Sequence, residues 1–213
     1  MPWKEIEFIG LDLDGTLYDE MDFISQVYES LARYISVKTN KDYGPILEFM
    51  ITLWRGKGSS YSRIFEEAIG NSLEFSEKKR LVNDCLELYR SFKPNLQLTN
   101  YVEKVLNAMS VEFNLFLVTD GSPLLQESKF RALDLGRWIK DENVGISGRM
   151  IERQDKPSTS VLGQIRYFDI EVNPKSVVYF GDRVVDYLFS QNAGFHFQKV
   201  KCLLPVSDNL ELG

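Results

Sequence analysis

Three apolar runs of strand length each end on an oxygen-bearing side chain: Ile6 to Leu11 on Asp12, Phe113 to Val118 on Thr119, and Val177 to Phe180 on Gly181-Asp182. Short apolar runs closed by turn signals read as buried strands, and the stretches between them carry helical spacing. Strands alternating with helices imply right-handed crossovers and a parallel sheet. Ligands of such sheets collect beyond the carboxyl ends of the strands. Residues far apart in sequence, Asp12, Thr119 and Asp182, are therefore expected to meet at one edge.

Residues 6 to 13 read as the first strand. From Asp19 to about Phe92 the pattern is helical, with Phe23, Val27, Leu31 and Tyr34 at three- and four-residue steps and no convincing strand. Breaks at Gly44-Pro45, at Gly56-Lys57-Gly58-Ser59-Ser60 and at Gly70-Asn71 divide it into about four helices. The expected organisation is a core of residues 1–18 and 93–213 with a small helical domain, residues 19–92, inserted in it. Thr99 is placed to cap a helix running to about Met109, and Ser122-Pro123 to open one reaching about Leu135. Pro157 after Lys156 suits a first helical turn, with Val161, Leu162, Ile165 and Phe168 continuing it. A helix from about Val184 to Asn192 and a strand from Phe195 to Val200 complete the alternation.

Composition narrows the function classes. With 213 residues, 44% hydrophobic and 26% charged, the chain is an ordinary globular one. A net charge of -6 argues against nonspecific nucleic-acid binding, which needs clustered cations. The apolar runs are too short to span a membrane, and the amino terminus (Met1, Pro2, Trp3, Lys4, Glu5) lacks the pattern of a leader, so a cytoplasmic protein is expected. Cys85 and Cys202 have no metal-ligand spacing around them and read as reduced thiols. The single histidine, His196, lies between Phe195 and Phe197 and reads as a packed ring.

The chemistry rests on Asp12, Asp14, Lys156, Asp182 and Asp186. Asp12 and Asp14 sit two positions apart on a strand end, and Gly15 allows a sharp turn directly after them. One carboxylate can then attack phosphorus while the other exchanges a proton with the leaving oxygen. Crowded acids repel one another unless a cation joins them, and magnesium favours such oxygen ligands. Taken singly, each motif has a plain structural reading: a polar turn, a strand-end hydroxyl, a solvated helix start, helix-capping acids. The set taken together describes a phosphoryl-transfer site.

The chain resembles the haloacid dehalogenase superfamily, in its phosphatase branch with a helical cap after the first strand, close to phosphoglycolate phosphatases and nucleotidases. All four motifs of that superfamily are matched in order: Asp12-Leu13-Asp14-Gly15-Thr16, Thr119, Lys156 and Gly181-Asp182 with Asp186. The resemblance implies a Rossmann-like parallel sheet with helices on both faces and an inserted all-helical cap domain. It implies Asp12 as the nucleophile that forms an aspartyl-phosphate and Asp14 as the acid and base. Thr119 and the amides around Asp120 would hold phosphate, and Lys156 would neutralise Asp12 and the phosphoryl group. Magnesium would be held by Asp12, by Asp14 through its backbone carbonyl and by Asp182, with Asp186 ligating it or orienting its water.

Three positions depart from the family pattern. Gly10 stands where a larger apolar residue is usual, which predicts close packing of that backbone. Asp120 replaces a common asparagine and should use its amide with its side chain turned away. Ser158 replaces the usual acid after Lys156-Pro157. In the insert, Arg55, Lys57, Tyr61 and Arg63 are the segment expected to face substrate, against the alternative of a solvated loop. The expected partner is a small phosphorylated metabolite, with neither nucleic acid nor membrane, for a monomer or a homodimer. A sugar-phosphate mutase and a noncatalytic domain binding a phosphorylated ligand or partner stay open as alternatives.

Overall fold

A computed structural model of the protein describes residues 3–206 apart from Ser60 and Ser72, so Met1, Pro2 and the Ser60 end of the expected loop lie outside the described residues. The chain divides into two units, one of residues 1–20 and 95–213 and the other of residues 21–94.

The first unit is built on a six-stranded sheet: β1 (Phe8–Leu11), β2 (Asn114–Thr119), β3 (Val144–Ile146), β4 (Val177–Gly181), β5 (His196–Lys201) and β6 (Leu204–Pro205). Their order is β3-β2-β1-β4-β5-β6, with β1 to β5 parallel and β6 antiparallel. Every residue of β4, and every residue of β2 after Asn114, is buried. Burial on both faces is why these strands read as continuous apolar runs rather than as alternating ones. One face packs Phe116, Val118, Val177 and Tyr179 against Val161, Ile165, Phe189 and Phe195.

The register explains Gly10. It lies directly between Phe116 of β2 and Tyr179 of β4, and both rings fold over it. A Cβ there would stand 2.4 Å from Phe116 Cζ and 2.6 Å from Tyr179 Cδ2. The space of the missing side chain is filled by aromatic neighbours.

Three α-helices accompany the sheet: α5 (Asn100–Glu112), α6 (Pro123–Ala132) and α7 (Val184–Ala193). Thr99 caps α5 by accepting from the Val102 amide at 3.3 Å, and Pro123 occupies the first turn of α6. The α7 helix stops at Gly194, whose φ of 75° is left-handed.

Two expectations need correction in this unit. The helix after Lys156-Pro157 is absent, and the segment makes two short 3-10 turns, Ser160–Gln164 and Arg166–Asp169, that still bury Val161 and Ile165. Ser158 Oγ accepts from the Ser160 amide and donates to Gln154, so local side-chain bonds compete with helix formation. The sequence pattern also showed neither β3 nor β6. β3 is three residues with Gly145 at its centre, and β6 is two residues on a hairpin.

The second unit is helical: α1 (Glu20–Thr39, all but its first residue in this unit), α2 (Tyr43–Lys57), α3 (Ile64–Ile69) and α4 (Phe75–Ser91). The buried face of α1 carries Phe23, Ile24, Val27, Tyr28, Leu31, Ala32 and Ile35 at helical period. Tyr34, expected on that face, is half-buried and donates to Asp84 of α4 at 3.0 Å. The break expected at Gly44-Pro45 comes earlier, at Asn40, whose φ of 52° is left-handed. Pro45 instead lies in the first turn of α2, where a missing N–H leaves no intrahelical bond unmade. Cys85, on α4, is buried, and burial together with Asp84 pushes its thiol up to about 12. No described helix is long and apolar enough to cross a membrane.

Candidate active site

The carboxyl ends of β1, β2 and β4 bring Asp12, Thr119 and Asp182 to one edge of the sheet. The Asp12 amide continues the strand pairing by donating to the Phe180 carbonyl at 3.0 Å, so the backbone under this carboxylate is fixed. Gly15 follows with φ 77°, and a Cβ there would lie 2.2 Å from Asp182 Oδ2. Both the left-handed turn and the close approach of Asp182 require glycine at this position.

Lys156 is the hub. Its ammonium donates to Asp12 Oδ1 at 2.6 Å and to Asp186 Oδ1 at 2.5 Å, all three side chains being buried. It also reaches the Tyr179 hydroxyl at 3.4 Å, and that hydroxyl donates to the Val118 carbonyl at 3.0 Å. Asp186 is held from the other side, its Oδ2 accepting from the Arg183 amide at 3.0 Å at the start of α7. Burial works against the Lys156 charge, but Asp12, Tyr179 and Asp186 outweigh it and hold its pKa well above the ordinary lysine value.

Carboxylate oxygens of Asp12, Asp182 and Asp186 lie within 4.8 Å of one another. Burial pushes Asp182 up to about 7, with Asp186 adding to the rise and Arg183 opposing it. Burial likewise raises Asp12, opposed by Lys156 and reinforced by Asp186. Asp182 Oδ1 is buried with no hydrogen-bond partner among the described residues, and Arg183 Nε stands 3.9 Å away. A buried carboxylate oxygen without a donor, beside two more acids, fits a cation of the hard, oxygen-seeking kind.

Asp14 faces a different environment. Its Oδ1 accepts from Lys129 Nζ at 2.7 Å and from the Tyr18 hydroxyl, and its Oδ2 from Gln126 Nε2 at 3.2 Å. Burial alone would raise its pKa, but the Lys129 charge and the three donors outweigh that and lower it. The same Gln126 nitrogen lies 3.0 Å from Thr119 Oγ1 and 2.6 Å from the Asp120 carbonyl. The Asp120 side chain accepts from the Lys156 backbone amide at 3.0 Å, so its charge ties two motifs together. The Gly121 amide donates to Ser147 Oγ at 3.1 Å, and Ser147 donates to Asp155 at 2.6 Å.

Asp12, Asp14, Thr119, Asp120, Lys156, Asp182 and Asp186 thus converge in one unit, whereas Arg55, Lys57, Tyr61 and Arg63 belong to the other. Arg55 and Lys57 are exposed in the last turn of α2. Tyr61 donates to Glu67, and Arg63 to Glu66 at 3.3 Å. Sequence reasoning missed Tyr18, Gln126, Lys129 and Tyr179. A signal existed for two of them: Gln126 and Lys129 fall with Leu125 and Phe130 on the buried stripe of α6, where apolar residues belong. A cavity of about 530 Å³ elsewhere in this unit contains none of these groups. Its Arg131 and Arg149 both pair with Glu127.

The fold and this cluster define an α/β protein with a strand-end acidic site. Residues 6–194 match the family model of haloacid dehalogenase-like hydrolases, and the chain belongs to that family. Among solved structures it is similar to a subfamily IA hydrolase of the superfamily from Geobacter sulfurreducens, with a TM-score of 0.69, 17% identity and coverage of 94% of this chain and 90% of that one. A protein assigned as a phosphatase from Clostridium difficile gives 0.66 and 18%, covering 91% and 84%. The magnesium-bound protein YfnB from Bacillus subtilis, assigned as a hydrolase of the superfamily, gives 0.60 and 16%, covering 92% and 86%. Comparison with curated protein sequences finds no match. At these identities the structural likeness concerns the fold.

Proposed function

We propose that the protein is a magnesium-dependent hydrolase of small phosphomonoesters acting through an aspartyl-phosphate on Asp12. The observation that carries this reading is the buried Lys156 ammonium shared by Asp12 and Asp186, with an Asp182 oxygen that accepts no hydrogen bond beside them. Lys156 can neutralise the attacking carboxylate and the transferring phosphoryl group together. Asp12, Asp182 and Asp186 would hold the metal with the Asp14 carbonyl, and the bound cation would neutralise phosphate charge.

In the first step an Asp12 oxygen bonds to phosphorus while the bond to the leaving oxygen breaks. The leaving oxygen takes the electron pair and a proton from Asp14, which has to take up that proton as it leaves the Lys129 ammonium that lowers its pKa at rest. In the second, water attacks phosphorus and passes a proton to Asp14, which frees Asp12 and inorganic phosphate. Thr119 and the amides around Asp120 would orient the phosphate oxygens. The first unit would carry this chemistry, and the helical insert would act as the cap, where Arg55 and Lys57 are exposed cations suited to an anionic metabolite. Tyr61 and Arg63 would complete that substrate face.

Phosphate release from a panel of phosphorylated metabolites, with and without magnesium, tests the reading on wild type and Asp12→Asn. Selective release that needs both magnesium and Asp12 is expected. Undiminished turnover by Asp12→Asn would falsify the assignment, and a folded protein silent across the panel points to a mutase or a noncatalytic binder.

A further inference from the structure

Lys156 differs from the other site residues in how its backbone is mounted. Asp12, Thr119 and Asp182 stand at strand ends and Asp186 lies in α7, whereas residues 150–159 belong to no helix or strand. An irregular segment has no ladder to hold its backbone groups, so side chains or water must meet them. The place of this lysine still has to be exact to a fraction of its reach. A shift of about 1 Å in a group that meets the reacting centre can cost about a hundredfold in rate.

Two side-chain ties supply the missing mount. The first is direct: Asp120 Oδ1 accepts from the Lys156 amide at 3.0 Å, while the Asp120 carbonyl accepts from Gln126 of α6 at 2.6 Å. The second passes through the buried Ser147, whose Oγ accepts from the Gly121 amide at 3.1 Å and donates to Asp155 Oδ1 at 2.6 Å. Arg153 steadies that carboxylate with two bonds, at 2.7 and 2.8 Å. Both ties run from the two residues after Thr119 to the adjacent pair Asp155 and Lys156. The loop that would orient phosphate and the loop that brings the ammonium are thereby joined. An asparagine at position 120 would offer the same acceptor oxygen, so the bond rather than the charge holds Lys156.

We infer that Asp120 and the Ser147–Asp155 bridge are positioning residues that lock the Lys156 segment to the end of β2 and so set where the Lys156 ammonium meets Asp12. This rests on the phosphatase reading and names residues through which Lys156 acts. A lock of this kind serves the transfer step, because the ammonium neutralises Asp12 and the moving phosphoryl group together. Its loss therefore falls on kcat. A residue that only gripped the phosphate would show its loss in KM.

The experiment measures kcat and KM for p-nitrophenyl phosphate with magnesium, and amide hydrogen exchange at Lys156, in wild type, Asp120→Ala, Asp120→Asn and Asp155→Ala. Asp120→Ala should lower kcat by at least about tenfold, keep KM within about threefold and speed exchange at Lys156. Asp120→Asn keeps the acceptor and should recover most of both changes. Asp155→Ala, at a half-exposed side chain, should lower kcat by a smaller factor and tests the lock even if Asp120→Ala does not fold. A raised KM at unchanged kcat in Asp120→Ala, or an Asp120→Asn as impaired as Asp120→Ala, would overturn the inference while leaving the phosphatase standing. A wild type without Asp12-dependent release removes the phosphatase reading itself. Exchange at Lys156 that Asp120→Ala leaves unchanged overturns the lock with or without turnover.

Discussion

Lys156 concentrates the electrostatics of the site in one side chain. Removing a charge from a buried pair leaves its partner uncompensated, which costs about 3–5 kcal/mol. Here two partners, Asp12 and Asp186, would be left. Lys156→Met should therefore destabilise the metal-free protein by at least about 3 kcal/mol in urea unfolding near neutral pH. A loss below about 1 kcal/mol, the range of an exposed pair, is incompatible with the buried hub. Lys156 was legible as a candidate because it stood in a motif. Its contact with Tyr179 was not, since that pairing joins a turn to β4 across 23 residues. Lys129 was harder still. On a helix a lysine ordinarily reads as solvated, and only the fold reveals the acid it meets.

Elements were legible where local chemistry and periodicity agreed. Thr99 and Pro123 mark helix starts by their own conformational or hydrogen-bonding properties, and each does so in the structure. The segment after Pro157 failed because its apolar spacing suits a helix while its serines and Gly163 favour tight turns. Gly10 shows how one strand position depends on both neighbouring strands. Replacing a strand glycine with alanine ordinarily gains about 0.5–1 kcal/mol in backbone entropy. At Gly10 the new methyl would enter the Phe116 and Tyr179 rings, and overpacking of this kind costs about 1–3 kcal/mol. Gly10→Ala is thus expected to lower stability, and Phe116→Leu in the same chain to recover part of the loss. Equilibrium denaturation of the two variants decides it: a neutral or stabilising Gly10→Ala means the rings move aside freely.

At the scale of the whole molecule, a chain of net charge -6 gathers three acids at one sheet edge, and stability there is linked to protons and to metal. Asp182 is raised from 3.8 to about 7 by burial first and Asp186 second. A raised folded pKa contributes stability that is fully present below the unfolded value and is lost as pH rises through the folded one. Between about pH 4 and 7, the window those two values set, metal-free wild type should lose thermal stability relative to Asp182→Asn. Asp14 and Asp155 are shifted downward and act with the opposite sign, but they are common to both proteins. Magnesium should raise the melting temperature of wild type above pH 7 by about a few degrees and largely lose that effect in Asp182→Asn. Parallel melting curves for the two proteins across this range, with and without magnesium, would count against the acid cluster as a cation site.

By itself the sequence determined the alternation of strands and helices, the helical insert, and the strand-end placement of Asp12, Thr119 and Asp182, because these follow from periodicity and turn chemistry acting over a few residues. Tertiary structure decided what those residues touch. The Lys156 bridge from Asp12 to Asp186, the donors around Asp14 and the rings over Gly10 all join segments brought together only when the sheet forms. Charge and packing act through space, and the distance that sets their strength is fixed by the fold rather than by position along the chain.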